Sequence, residues 1–181
     1  MSADGRVEVI GIHGLHHVGL TVPNMDEAVH FFETMFGGVT VLRIEDVDVD
    51  DAFMKARLGV RAGRRIKHQR VVVCGAGGNL ELFEYSGEDS TDIKQNSEAG
   101  ACHLAFQVDD AHAAAARLRA NGVDVLDGPT LIEAGPMSGL TWVYLRAPWG
   151  QFFEVVSVSE PMGYEREGSP KMWSPIEASK T

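Results

Sequence analysis

The sequence contains no apolar run approaching the roughly 18 residues needed to cross a bilayer, so no membrane-spanning helix is expected. Met1 to Glu8 is polar and holds no apolar stretch long enough for a signal peptide. Cysteine is scarce: Cys74 and Cys102 form neither a metal spacing nor a disulfide framework. Both are expected as reduced thiols in a cytoplasmic protein. Positive charge is also short, with 16 Lys and Arg against 26 Asp and Glu and a net charge of −10. A phosphate backbone is repelled by such a chain, which argues against nucleic acid as a partner. No nucleophile elbow, P-loop or dinucleotide fingerprint occurs. The Gly75 to Gly78 stretch is expected as a tight turn between strands, and the acidic stretch Glu45 to Asp51 as a solvated loop.

What the chain does contain is a repeat. Leu15 to Val22 reads as a strand and Met25 to Phe36 as a helix, with Asn24 and Glu27 at capping-box spacing and Pro23 just before. Ala28, Phe31, Phe32 and Met35 form its apolar stripe, and Gly37 and Gly38 end it. Ala101 to Val123 repeats this plan: a strand CHLAFQV, Asp109 and Asp110 at the helix start, an Ala-rich helix to about Asn121, then Gly122. Placing His17 on His103 aligns about twenty residues without a gap. Each half then continues as strands: Val39 to Ile44, Gln69 to Cys74 and Asn79 to Tyr85 in the first, Val123 to Leu126, Leu140 to Leu145 and Gln151 to Ser157 in the second.

One strand, one helix and three strands, twice over, predict an α+β protein of two tandem βαβββ modules with mainly antiparallel sheets. The expected organisation is an N-terminal extension over 1–12, a first module over 13–88, a linker over 89–99, a second module over 100–158 and a C-terminal tail over 159–181. Glu81 follows His17 by 64 residues (81 − 17) and Glu154 follows His103 by 51 (154 − 103). The extra 13 fall within an insertion at about 45–68, read as an acidic loop and a short helix (AFMKARLGV) suited to a lid or substrate wall. In the tail, Met172 and Trp173 mark one expected docking point.

The chemistry follows from strand parity. His17, Gly19 and Thr21 share one face, opposite Val18, Leu20 and Val22, which should meet the helix; His103, Ala105 and Gln107 repeat the pattern against Leu104, Phe106 and Val108. Each module thus offers a His at its first strand and a Glu in its last. Glu154 stands on an otherwise apolar face, a costly position unless paired or bound to metal. Two imidazoles and two carboxylates would make a mixed N/O site for a divalent first-row metal. The other candidates read as structural: His16 points opposite His17, His30 and His112 lie on helices, and His68 borders the insertion. Glu84 should be solvated, and Cys102 should be a buried thiol facing the helix.

LHHVGLTVPNMDEAVHFFETMFGG, LELFEY, CHLAFQVDD and the P-x-G-x-x-x-E of Pro148 to Glu154 resemble the vicinal oxygen chelate superfamily, over roughly residues 13 to 158. That superfamily includes glyoxalase I, methylmalonyl-CoA epimerase, fosfomycin-resistance enzymes, extradiol dioxygenases and bleomycin-binding proteins. The resemblance implies that the two tandem βαβββ modules form a cupped, mainly antiparallel sheet around a metal site, with homodimers and one divalent metal ion (Ni, Co, Mn, Zn, Mg or Fe) held by His17, Glu81, His103 and Glu154. A carboxylate at Glu81 is similar to glyoxalase I and related isomerases. It implies a metal-dependent isomerase, epimerase or lyase in which Glu154 or Glu81 moves a proton next to a metal-bound carbonyl. The small-molecule substrate would carry a carbonyl or vicinal oxygens. Phe83-Glu84-Tyr85-Ser86-Gly87 departs from the Asn-Trp-Gly of bacterial glyoxalase I, which argues against a glutathione hemithioacetal. Phe83, Tyr85, Phe152, Val143, Trp142 and Tyr144 suggest a more apolar pocket. Two alternatives stand beside this reading: an Fe(II)-dependent extradiol dioxygenase using His17, His103 and Glu154, and a non-catalytic drug- or metabolite-binding protein.

Overall fold

The computed structural model of the chain describes residues 15–87, 93–158, 161–166 and 172–178. The expected N-terminal extension and part of the expected linker and tail lie outside them. The first module runs β1 (Val18–Thr21), α1 (Met25–Phe36), β2 (Val39–Glu45), α2 (Asp51–Leu58), β3 (Ile66–Cys74) and β4 (Gly78–Tyr85). The second runs β5 (Leu104–Gln107), α3 (Ala111–Ala120), β6 (Asp124–Val125), β7 (Thr130–Leu131), β8 (Leu140–Arg146) and β9 (Phe152–Val158). Two short helices follow, α4 (Gly163–Arg166) and α5 (Pro175–Ala178).

Local chemistry sets these boundaries. The Asn24 side chain accepts a hydrogen bond from Glu27 N at 2.9 Å, and Asp110 accepts from His112 N and Ala113 N at 2.8 and 3.0 Å, so both long helices start on a side-chain cap. Helix α1 ends at Gly37 in the left-handed region (φ 62°), where a Cβ is disfavoured. At the β3–β4 turn, a Cβ on Gly78 would lie 2.2 Å from the Cys74 carbonyl oxygen, so that hairpin requires glycine.

The strands do not form the one cupped sheet expected, although most of their pairings are antiparallel as expected. There are two mixed sheets, ordered β1-β4-β3-β2 and β5-β9-β8-β6, with β7 on β8. In each, the first strand pairs parallel to the last (β1 with β4, β5 with β9), because the module closes on itself after its helix crosses over. Strands β1 and β5 are shorter than expected and leave open edges toward each other. A largely apolar cavity of 430 Å³ lies there, with Val18, Met35 and Phe36 on one wall and Leu104, Phe106 and Val108 on the other.

One core nevertheless joins the modules. Leu20 and Val22 face inward, whereas Gly19 and Thr21 are exposed, as strand parity requires. Phe31, Phe32 and Phe36 of α1 make ring contacts with Phe106, Trp149 and Phe153 of the second module; the Phe36–Phe106 centroids are 4.4 Å apart. Helix α3 contributes mostly small residues, with Ala111 and Ala115 buried beside Leu118. The insertion is anchored by α2, whose Met54 is fully buried. In the tail, Ser174 Oγ donates to Gln107 Oε1 at 2.9 Å and Met172 N to the Tyr164 hydroxyl at 3.0 Å, while the Trp173 ring lies against Gly77.

Candidate active site

His17 and His103 each sit one residue before the first strand of their module, not within it. Parallel pairing then does the positioning: Gly19 stands opposite Glu81 and Ala105 opposite Glu154. Each histidine therefore reaches the carboxylate of its own last strand. His17 Nε2 lies 3.2 Å from Glu81 Oε2, and His103 Nε2 lies 3.3 Å from Glu154 Oε2. The four residues form two matched His–Glu pairs. Among the described residues, no three His, Cys, Asp or Glu side chains gather in a group that could hold a metal ion. Each pair supplies one imidazole nitrogen and one carboxylate, the donor types a borderline divalent metal takes.

The pairs differ in their surroundings. Gln69 Nε2 donates to Glu81 Oε1 at 2.7 Å, so both oxygens of Glu81 have partners. Glu154 has no such amide; in the aligned position stands Trp142. Its Oε1 has no hydrogen-bond partner among the described residues, and its side chain is 14% exposed against 23% for Glu81. Burial raises the Glu154 carboxyl above its ordinary value, opposed by the attraction and hydrogen bond of His103. Opposite Glu154 on β8 is Tyr144, its hydroxyl 3.4 Å from His103 Nε2. Burial, then the Glu154 charge, push this phenol up.

Several expectations for single residues change. Glu84 is buried, 8% exposed, and not solvated. Its Oε2 accepts from Met25 N, the first residue of α1, at 2.8 Å, and its Oε1 pairs with Lys67. Burial alone would raise its pKa, yet Lys67 and the Met25 N–H outweigh that and hold it below the usual carboxylate value. The aligned residue of module two, Ser157, accepts from Ala111 N at 3.2 Å. Both were missed; the available signal was a polar residue three positions after each Glu, on the face that should be apolar. Cys102 is exposed, because β5 begins only at Leu104. Cys74 is the buried thiol, pushed up to about 11 by burial. Val143 and Phe152 are buried rather than pocket-lining: alternation turns Val143 into the core, and Arg146 covers the Phe152 ring. Phe83, Tyr85, Trp142 and Tyr144 are half-buried. His16 lies beside His17, with Nδ1 to Nδ1 at 2.8 Å.

The family model of the Glyoxalase/Bleomycin resistance protein/Dioxygenase superfamily matches residues 14–155. The chain belongs to this superfamily. It is 36% identical over 168 residues to a 2-epi-5-epi-valiolone epimerase from an Actinomyces species, covering 91% of this chain and 90% of that one. It is 28% identical over 128 residues to a mitochondrial methylmalonyl-CoA epimerase from Dictyostelium discoideum, covering 69% and 67%. Its fold is shared by a glyoxalase family protein from Bacillus cereus, with a TM-score of 0.66 at 16% identity over 84% of this chain and 99% of that one. Among the described residues, no helix is long and apolar enough to cross a membrane.

Proposed function

We propose that this superfamily member is a divalent-metal-dependent epimerase that moves a proton next to the carbonyl of a small molecule. The observation that carries the reading is the Glu154 carboxylate, half-buried, with one oxygen toward His103 and the other without a partner among the described residues. Such a group is a base with its lone pair available. Glu154 removes the proton, and the C–H electron pair forms a C=C bond as the carbonyl π pair moves onto oxygen. Glu81, starting as the protonated acid, delivers its proton to the opposite face as the carbonyl re-forms. Exchange with solvent then returns both carboxyls to their starting states. Assignment of opposite faces is supported by the pseudo-symmetric origin of the two carboxylates. Similarity to two epimerases favours this chemistry over ring cleavage or simple binding.

His17, Glu81, His103 and Glu154 would hold the metal, which when bound supplies Lewis-acid polarisation of substrate oxygens. Two ligands per module mean that the pairs must be joined, within one chain or between two chains of a homodimer. The exposed apolar residues Val39, Val41, Leu42 and Ile44 on the edge strand β2 support a dimer. The decisive experiment incubates metal-loaded protein with 2-epi-5-epi-valiolone in deuterium oxide. Incorporation of one deuterium with inversion is expected; folded, metal-loaded protein giving neither exchange nor inversion would sink the proposal. Elemental analysis should find one metal per His17/Glu81/His103/Glu154 set, and His103→Ala should abolish it.

A further inference from the structure

Three polar groups meet at one end of module two. His103 Nε2 lies 3.3 Å from Glu154 Oε2 and 3.4 Å from the Tyr144 hydroxyl. Both contacts are longer than the 2.7–3.2 Å of a well-formed N–H···O bond, so His103 holds neither group tightly. Imidazole, carboxylate and phenol thus mark three corners of an open polar site.

The Tyr144 ring is held independently of its hydroxyl. It stands edge-on to His103, with centroids 5.1 Å apart at 85°, and edge-on to Trp142 and Phe152, at 5.5 and 6.4 Å. Its backbone is in register with Glu154 across β8 and β9. The hydroxyl position is therefore set by ring packing and strand pairing. A tyrosine hydroxyl carries one O–H donor, and here the packed ring aims it at the space beside His103 and Glu154. Module one has no counterpart: the residue in register with Glu81 is Val71, which cannot donate.

We propose that Tyr144 donates a hydrogen bond to the substrate's carbonyl oxygen beside Glu154, selecting planar, oxyanion-forming substrates and assigning proton removal to module two. This rests on the epimerase reading above. As Glu154 takes the proton, negative charge develops on the carbonyl oxygen, and a fixed donor there stabilises it more than it stabilises the ground state. The hydroxyl keeps its own proton throughout.

Tyr144→Phe removes only the hydroxyl from a ring whose packing is retained. The variant should melt within a few degrees of the parent protein, and its kcat with 2-epi-5-epi-valiolone should fall roughly 10²- to 10³-fold, the effect of losing one oxyanion donor, with KM changed less than about threefold. A second measurement needs no turnover. Oxalate, a planar dianion shaped like an enolate, should bind the parent protein in calorimetry and bind Tyr144→Phe roughly tenfold more weakly. Tyr164→Phe, in the tail, should leave both readouts unchanged. If the parent protein turns over no ketone yet oxalate affinity still drops in Tyr144→Phe, the reaction is wrong and the donor stands. Unchanged oxalate affinity in Tyr144→Phe, or no oxalate binding by the parent protein, overturns the assignment.

Discussion

In module one the helix N-terminus rests on a charged strand residue, Glu84, itself paired with Lys67; in module two the same place is taken by the neutral Ser157. The contrast extends to the candidate site. Glu81 is held at both oxygens by Gln69 and His17, whereas Glu154 keeps one oxygen without a partner among the described residues and faces a tyrosine where Glu81 faces a valine. It extends to the core as well: α1 packs through Phe31 and Phe32, α3 through Ala111 and Ala115. In module one both carboxylates, Glu81 and Glu84, are matched by partners, and the aromatic residues of α1 reach across to module two. Module two keeps small helix residues and an incompletely partnered carboxylate. Duplicating a fold preserves backbone register, while side-chain chemistry is free to diverge at each aligned position.

The sharpest way to break this comparison is to exchange the carboxylates. Glu154→Gln should lower the rate of substrate deuterium exchange by roughly 10²- to 10⁴-fold, the scale of a lost general base. Glu81→Gln should lose inversion but keep exchange, because Glu154 still removes a proton and returns it to the same face. Equal loss of exchange in both variants would mean that the modules share the work evenly. In the core, Phe32→Ala should cost about 3–5 kcal/mol in urea unfolding, since a fully buried aromatic is replaced by a cavity. Ala115→Gly on α3 should cost only about 1 kcal/mol, mainly helix propensity.

The two helix supports give a smaller effect with a distinct pH signature. Glu84→Ala leaves the buried Met25 N–H without its acceptor and should cost about 1–3 kcal/mol at neutral pH. Because the folded pKa of Glu84 is lowered, its contribution is complete above the unfolded value of about 4.3 and is lost as pH falls through the folded value. The stability gap between Glu84→Ala and the parent protein should therefore shrink below about pH 4. Ser157→Ala should cost about 1 kcal/mol or less, with no titration between pH 3 and 7. Parallel pH profiles for the two variants, measured by chemical denaturation, would refute the charged-versus-neutral distinction.

Much of this was legible in the residues because the signals are local. Asn24 and Asp110 followed by apolar stripes mark the helices, and Gly37 marks the end of the first. Alternation of Leu20 and Val22 with Gly19 and Thr21 marks which strand face is buried. Strand starts were harder to read. His16 and Cys102 look like strand residues, yet each precedes its strand, so facing inferred from parity fails there and Cys102 is exposed. Glu84 is marked in the sequence as a polar residue on a face that should be apolar, but its role is not, since its partners Met25 and Lys67 are distant in sequence and meet it only across the sheet and helix.

By itself, the sequence determined the duplicated strand–helix plan, the faces of the strands and the histidine and glutamate that each module contributes, because backbone periodicity and capping act over a few residues. Only the tertiary structure decided that the sheet is split into two, that the ligand candidates stand as two pairs, and that Gln69, Glu84 and Tyr144 differentiate them. Those outcomes depend on parallel pairing and on side chains converging from separate strands, and no local pattern encodes the distance between them.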